Sequence, residues 1–115
     1  MLIKVLKSKI HRATVTETSL DYVGSITIAA DLMEAVGLRE HEQVLVANLN
    51  NGTRHETYVQ VGKPGSGVIC MNGAAARLAC VGDQLIIMGF GYYQSDEPIP
   101  KPKVITLNEK NQIVR

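Results

Sequence analysis

The chain opens with aliphatic residues interleaved with lysines, Leu2-Ile3-Lys4-Val5-Leu6-Lys7, and continues to Ala13-Thr14-Val15-Thr16. Aliphatic and β-branched residues mixed with polar ones predict extended structure, so residues 2–16 form one or two strands. Glu17 to Val23 is polar and turn-like, and Ser25-Ile26-Thr27-Ile28 resumes the strand pattern. Gly24-Ser25 therefore sits where a loop enters a sheet. Asp31-Leu32-Met33-Glu34 has capping-box spacing, which predicts a short helix over residues 31–36 with Asp31 as N-cap. Gly37 is placed to close that helix in the left-handed conformation. Gln43 to Asn48 reads as a strand. Asn50-Asn51-Gly52 marks a hairpin, because Asn and Gly tolerate positive φ. On the return strand, Arg54 to Val61, Thr57, Val59 and Val61 share one face and Tyr58 and Gln60 the other.

Gly62 to Gly67 is a loop that lacks the GxxxxGK[ST] spacing of a phosphate cradle. Val68 to Met71 is a short buried strand, Asn72-Gly73 a turn, and Ala74 to Leu78 a helical turn. Val81-Gly82-Asp83 turns the chain into the strand Gln84 to Phe90. Beyond it, prolines at 98, 100 and 102 favour an extended C-terminal arm over about residues 94–115. Within the arm Lys103 to Leu107 adds an edge strand, and the polar tail after Asn108 is expected to be loosely held. Many short strands with one or two short helices define a mainly β fold, a small barrel in one domain spanning residues 1–115.

Composition narrows the function classes. The 115 residues suit one core, and 45 % apolar content excludes a disordered chain. Twelve basic against 11 acidic residues, net charge +1, give no basic surface for nucleic acid. No apolar run approaches the ~20 residues that span a bilayer. The lysine-broken N-terminus has no secretory h-region, so no membrane association and a cytoplasmic location are expected. Cys70 and Cys80 form no CxxC pair, and His11, His41 and His55 are scattered; no metal site is expected, and both thiols read as buried and free.

The candidate chemistry lies in five segments: Lys9-x-His11-Arg12, Tyr22-x-Gly24-Ser25, Asn51-Gly52-x-Arg54-x-x-Thr57-Tyr58, Asn72-Gly73-Ala74-Ala75-Ala76 and Val81-Gly82-Asp83. Ser25 with His11 as a hydrolase lacks GxSxG and an aspartate placed to orient the histidine. A β-barrel binding module without chemistry is the other rival. In this order and spacing the five segments resemble the pyruvoyl-dependent aspartate 1-decarboxylases, over residues 1 to about 92.

The resemblance implies a six-stranded double-psi β-barrel with short helices and a homotetramer with active sites between subunits. It implies decarboxylation of L-aspartate to β-alanine for pantothenate synthesis. The cofactor implied is a covalent pyruvoyl group made from Ser25, with no metal and no pyridoxal phosphate. Cleavage after Gly24 would separate residues 1–24 from 25–115, with Thr57 stabilising the oxyanion that forms at Gly24. Whether a maturation partner assists stays open at this level. Ser25 would carry the substrate as a Schiff base, and Tyr58 would protonate the product carbanion. Lys9, Arg54, Thr57, Gly73, Ala74 and Ala75 would bind the substrate, the last three through backbone N–H groups at a helix start. His11, Tyr22 and Asn72 would have supporting roles.

Overall fold

The computed structural model describes residues 1–115. Its strands are β1 (Leu2–Thr14), β2 (Glu17–Ser19), β3 (Ser25–Ala29), β4 (Gln43–Asn48), β5 (Arg54–Gly62), β6 (Ile69–Asn72), β7 (Gln84–Gln94) and β8 (Lys103–Thr106). One helix, α1 (Ala30–Val36), follows β3, and a 3₁₀ turn (Gly73–Leu78) follows β6. The strands join edge to edge in the order β2-β6-β3-β5-β4-β7-β1-β8. Six of these strands make the body; β2, three residues long, and β8, four residues long, extend it at the two ends, so the ladder has eight members rather than six. The longest pairing, β1 with β7, is antiparallel from Leu2↔Gln94 to Thr14↔Gln84, with irregularities between Leu6 and Ser8 and between His11 and Ala13.

Ile10, Ile26, Ile28, Val59, Ile69, Leu85 and Ile87 have no solvent exposure and meet in the core. Burying such side chains contributes roughly 1.5–3 kcal/mol each, which holds the short strands together. Helix α1 covers one side of this core with Leu32, Met33 and Val36. Its C-terminus is fixed as the sequence predicts: Gly37 has φ 72° and its N–H donates to Glu34 O, while the Leu38 N–H donates to Met33 O. Strand β1 satisfies two further carbonyls there, Ser8 Oγ donating to Val36 O at 2.5 Å and Lys7 Nζ to Gly37 O at 2.8 Å.

Four local expectations are corrected. Ala29, not Asp31, is the N-cap of α1, and no side chain caps it. Asp31 Oδ1 instead accepts from the Gly65 N–H at 2.8 Å, tying the 62–67 loop to the helix. Glu17 to Ser19 is a strand, since it finds β6 as a parallel neighbour. Cys70 is buried but Cys80 is exposed. The tail after Asn108 is held: Asn111, 4 % exposed with φ 57°, donates to Thr14 O at 2.8 Å and Gly67 O at 2.7 Å and accepts from Thr14 N–H at 2.8 Å. Asn tolerates the left-handed conformation, and its amide replaces missing ladder partners, which a reading of polarity alone does not reveal. No helix is long and apolar enough to cross a membrane.

Candidate active site

Strand β3 lies between two neighbours. It runs antiparallel to β6, with Ser25 opposite Asn72 and Thr27 opposite Cys70, and parallel to β5 from Ile26↔Val59 onward. Residues 54–58 of β5 are paired only on their β4 side. The two strands therefore part just where Ser25 begins β3, and a cavity of about 540 Å³ opens between them. Gly24, Ser25, Thr57, Tyr58, Asn72, Ala74 and Ala75 all line it. Thr57 and Tyr58 point to opposite faces of β5, yet both reach this opening because the edge between them is free.

Alternation divides β3 and β6 cleanly. Ile26, Ile28, Ile69 and Met71 enter the core, while Ser25, Thr27, Cys70 and Asn72 share the other face. On that face Asn72 Nδ2 donates to Ser25 Oγ at 2.9 Å and to Thr27 Oγ1 at 3.0 Å, and Cys70 Sγ donates to Asn72 Oδ1 at 3.1 Å. Ser25 is fully buried, and its own hydroxyl points to Val23 O at 3.4 Å. Thr57 reaches the site as a lining residue and not as a hydrogen-bond partner of Ser25.

Of the two glycines beside Ser25, only one is conformationally constrained. Gly24 is not in a positive-φ conformation, and an added Cβ there would meet nothing within 4 Å. Gly73 is the constrained position: its φ is +70°, and a Cβ would fall 2.6 Å from Gly24 Cα and 2.8 Å from Gly24 N. The start of the 3₁₀ turn is thus pressed against the backbone that precedes Ser25.

Lys9, His11, Tyr22 and Arg54 are not brought to the cavity within one chain. Lys9 and His11 sit on β1 opposite Met88 and Ile86. Ser25 and His11 form no hydrogen bond, since Ser25 Oγ is engaged by Asn72 and Val23 and His11 Nδ1 is buried without a partner; no hydrolase dyad exists. Tyr22 is half-exposed, its hydroxyl 3.5 Å from Gln60 Oε1. Arg54 lies exposed on β5, next to the lining residue His55. The cavity wall of a single chain therefore holds no lysine or arginine. A second cavity, about 440 Å³, lies between Lys4, Glu42, Glu56, Phe90 and Tyr92 and contains none of the residues singled out by sequence.

Sequence reasoning missed His55, Glu56, Leu78 and the Cys70 contact. The i, i+2 spacing of His55 and Thr57 on one strand face is the signal that could have found His55. Its Nε2 is buried without a partner, and burial lowers its pKa below 6.5. His11 is lowered too, first by burial and then by Lys9 and Arg12. Both stay neutral in the fold at pH values where the unfolded chain begins to take up protons. Stability is therefore fully present above about 6.5 and falls as pH drops below it. Thermal melts between pH 7.5 and 5.5 are expected to show a falling midpoint, and the fall is expected to be smaller in His55→Gln; an unchanged slope in the variant would assign the effect elsewhere.

The fold is similar to that of the computationally designed protein msDPBB_sym2, a double-psi β-barrel, with a TM-score of 0.50 at 18 % identity over 76 % of this chain and 99 % of that one. The model of the family "Aspartate decarboxylase" matches residues 1–114. The chain is 58 % identical to the aspartate 1-decarboxylase of Caldicellulosiruptor saccharolyticus, covering 100 % of this chain and 91 % of that protein. It is 56 % identical to that of Acetivibrio thermocellus (99 % and 91 % covered) and 53 % identical to that of Lactiplantibacillus plantarum (100 % and 89 % covered). A double-psi β-barrel is thus the class of fold. The chain belongs to the aspartate decarboxylase family.

Proposed function

We propose that the protein is a pyruvoyl-dependent aspartate 1-decarboxylase that converts L-aspartate to β-alanine and CO2 for pantothenate synthesis. The observation that carries this reading, beside the full-length family match, is the buried Ser25 hydroxyl held by Asn72 directly after Gly24, at the wall of a cavity. A pyruvoyl group fits there: the reacting hydroxyl is enclosed, and no side chain crowds Gly24.

Maturation uses the chain's own atoms. Ser25 Oγ adds to the Gly24 carbonyl carbon, its proton passing to the departing amide nitrogen, and the peptide bond becomes an ester. Loss of the Ser25 Cα proton then expels the Gly24 carboxylate and leaves a dehydroalanine. Water hydrolyses its imine tautomer and ammonia departs, which leaves residues 1–24 and 25–115 as separate chains. Thr57 supplies the donor for the oxyanion at Gly24.

The pyruvoyl group supplies an electrophilic carbonyl that binds the substrate amine and accepts the electrons released with CO2. The protein supplies everything around it. Tyr58 delivers a proton to carbon through its phenol. The backbone N–H groups of Gly73, Ala74 and Ala75 receive a carboxylate at the turn that begins there. Arg54 binds a carboxylate as a bidentate fork, and Lys9 adds a point charge. One chain's cavity holds no lysine or arginine, and in this reading Lys9, His11 and Arg54 act in a site shared between subunits of a homotetramer. Tyr22 and Asn72 orient the group and the departing CO2.

Purified protein incubated with L-aspartate is expected to release CO2 and β-alanine in equal amounts; neither product appearing from fully cleaved protein would overturn the reading. Arg54→Ala is expected to lose on the order of 2–5 kcal/mol of transition-state stabilisation, because a substrate carboxylate is left without its partner. Arg54→Lys recovers part of this, since lysine cannot form the fork. Wild-type kcat/KM in Arg54→Ala would remove the residue from the site.

A further inference from the structure

We propose that Cys70 is a positioning residue for self-cleavage: its thiol, donated to Asn72 Oδ1, holds the Asn72 amide with its NH2 group toward Ser25. This rests on the reading that Ser25 attacks Gly24.

Asn72 links Cys70 to Ser25. Its amide has a donor end and an acceptor end of nearly identical shape, so its neighbours decide which way it faces. Two of those neighbours, Ser25 Oγ at 2.9 Å and Thr27 Oγ1 at 3.0 Å, are hydroxyls. A hydroxyl donates or accepts equally well and leaves the choice open. The third neighbour, Cys70 Sγ at 3.1 Å from Oδ1, is the one that breaks the symmetry. A protonated thiol is a weak donor and a poorer acceptor than a hydroxyl, so the amide N–H groups go to the two hydroxyl oxygens and Oδ1 is left to receive the S–H. Cys70 is 7 % exposed, and burial together with Glu17 raises its pKa, so the S–H is retained at neutral pH. Strand geometry makes the contact durable: residues 70 and 72 lie on one face of β6, opposite Thr27 and Ser25 of β3.

The orientation has a chemical consequence. Ser25 Oγ gains negative charge as it gives up its proton and attacks Gly24. An N–H directed at that oxygen stabilises the charge; the amide carbonyl, if turned toward it, would repel it. With Asn72 donating, the Ser25 proton is directed away from Asn72, toward Val23 O. Cys70 touches neither the nucleophile nor the bond that breaks, and it acts through Asn72 alone.

The test follows the cleavage rate of purified precursor by intact mass for the wild-type chain, Cys70→Ala, Cys70→Val and Cys70→Ser, with a thermal melt of each. Cys70→Ser keeps a donor and is expected to cleave within about threefold of wild type. Cys70→Ala and Cys70→Val lack a donor and are expected to cleave about tenfold more slowly, the size that a lost neutral hydrogen bond carries into a rate. The two differ in volume, so a shared slowing separates the hydrogen bond from packing. Cleavage of Cys70→Ala and Cys70→Val within threefold of wild type, or of Cys70→Ser as slow as Cys70→Ala, overturns the proposal. A wild-type precursor that never cleaves removes the self-cleavage reading itself, which is a distinct result.

Discussion

Ser25→Ala is expected to give a folded chain that never cleaves and has no detectable turnover. The substitution removes a single buried oxygen. Asn72 Nδ2 loses one acceptor but keeps Thr27 Oγ1, so the amide is not orphaned. The stability loss is therefore expected at the low end of the ~1–3 kcal/mol range for an unmade buried hydrogen bond. Function changes far more, because in the proposed maturation one residue supplies both the nucleophile, Ser25 Oγ, and the carbon that becomes the pyruvoyl carbonyl, Ser25 Cα. A loss of this kind is complete, unlike the partial losses expected at Arg54. Mass spectrometry is expected to find one chain of residues 1–115, and circular dichroism a wild-type spectrum. Residual decarboxylation in an uncleaved Ser25→Ala chain would show that the electron sink is elsewhere.

Thr57→Val and Tyr58→Phe are expected to fail at different stages. Both residues line the cavity beside Gly24 and Ser25, but they leave β5 on opposite faces. Valine keeps the shape of threonine and removes the donor for the oxyanion at Gly24, so Thr57→Val is expected to remain uncleaved or to cleave 10²–10³-fold more slowly. Phenylalanine removes only the phenol, which the acyl shift does not use, so Tyr58→Phe is expected to mature normally. Without a proton donor its turnover is expected to fall 10²–10⁴-fold, and aspartate is expected to leave misprotonated adducts on the 25–115 chain. Mass spectrometry of both variants before and after incubation with aspartate reads each stage. Tyr58→Phe uncleaved while Thr57→Val matures and turns over would reverse the two roles.

Where local chemistry decides, the fold was legible. The Asn50-Asn51-Gly52 hairpin, the left-handed Gly37 and the strand–loop junction at Gly24-Ser25 all follow from residues close in sequence. Expectations failed where a distant partner decides. Asp31 has the spacing of a cap but bonds Gly65, and the polar Asn111 that suggests a loose tail is a buried anchor for Thr14 and Gly67. Cys80 has the same residue type as Cys70 but follows the 3₁₀ turn at the surface rather than lying inside β6. The candidate site divides the same way. Ser25, Thr57, Tyr58, Asn72, Ala74 and Ala75 converge in one chain because neighbouring strands, and the 3₁₀ turn that follows β6, carry them. Lys9, His11, Tyr22 and Arg54 do not line the cavity. The glycine requirement at position 73 arises from two loops meeting, a contact invisible to either segment alone.

Whether Ser25 is a latent carbonyl can be read from the intact mass of the active wild-type protein. Two chains are expected, residues 1–24 and 25–115, the larger with a blocked keto N-terminus that gains mass with a carbonyl reagent and loses activity as it does. A fully active preparation that is one uncleaved chain, or whose larger fragment begins with a free Ser25 amine, would contradict it.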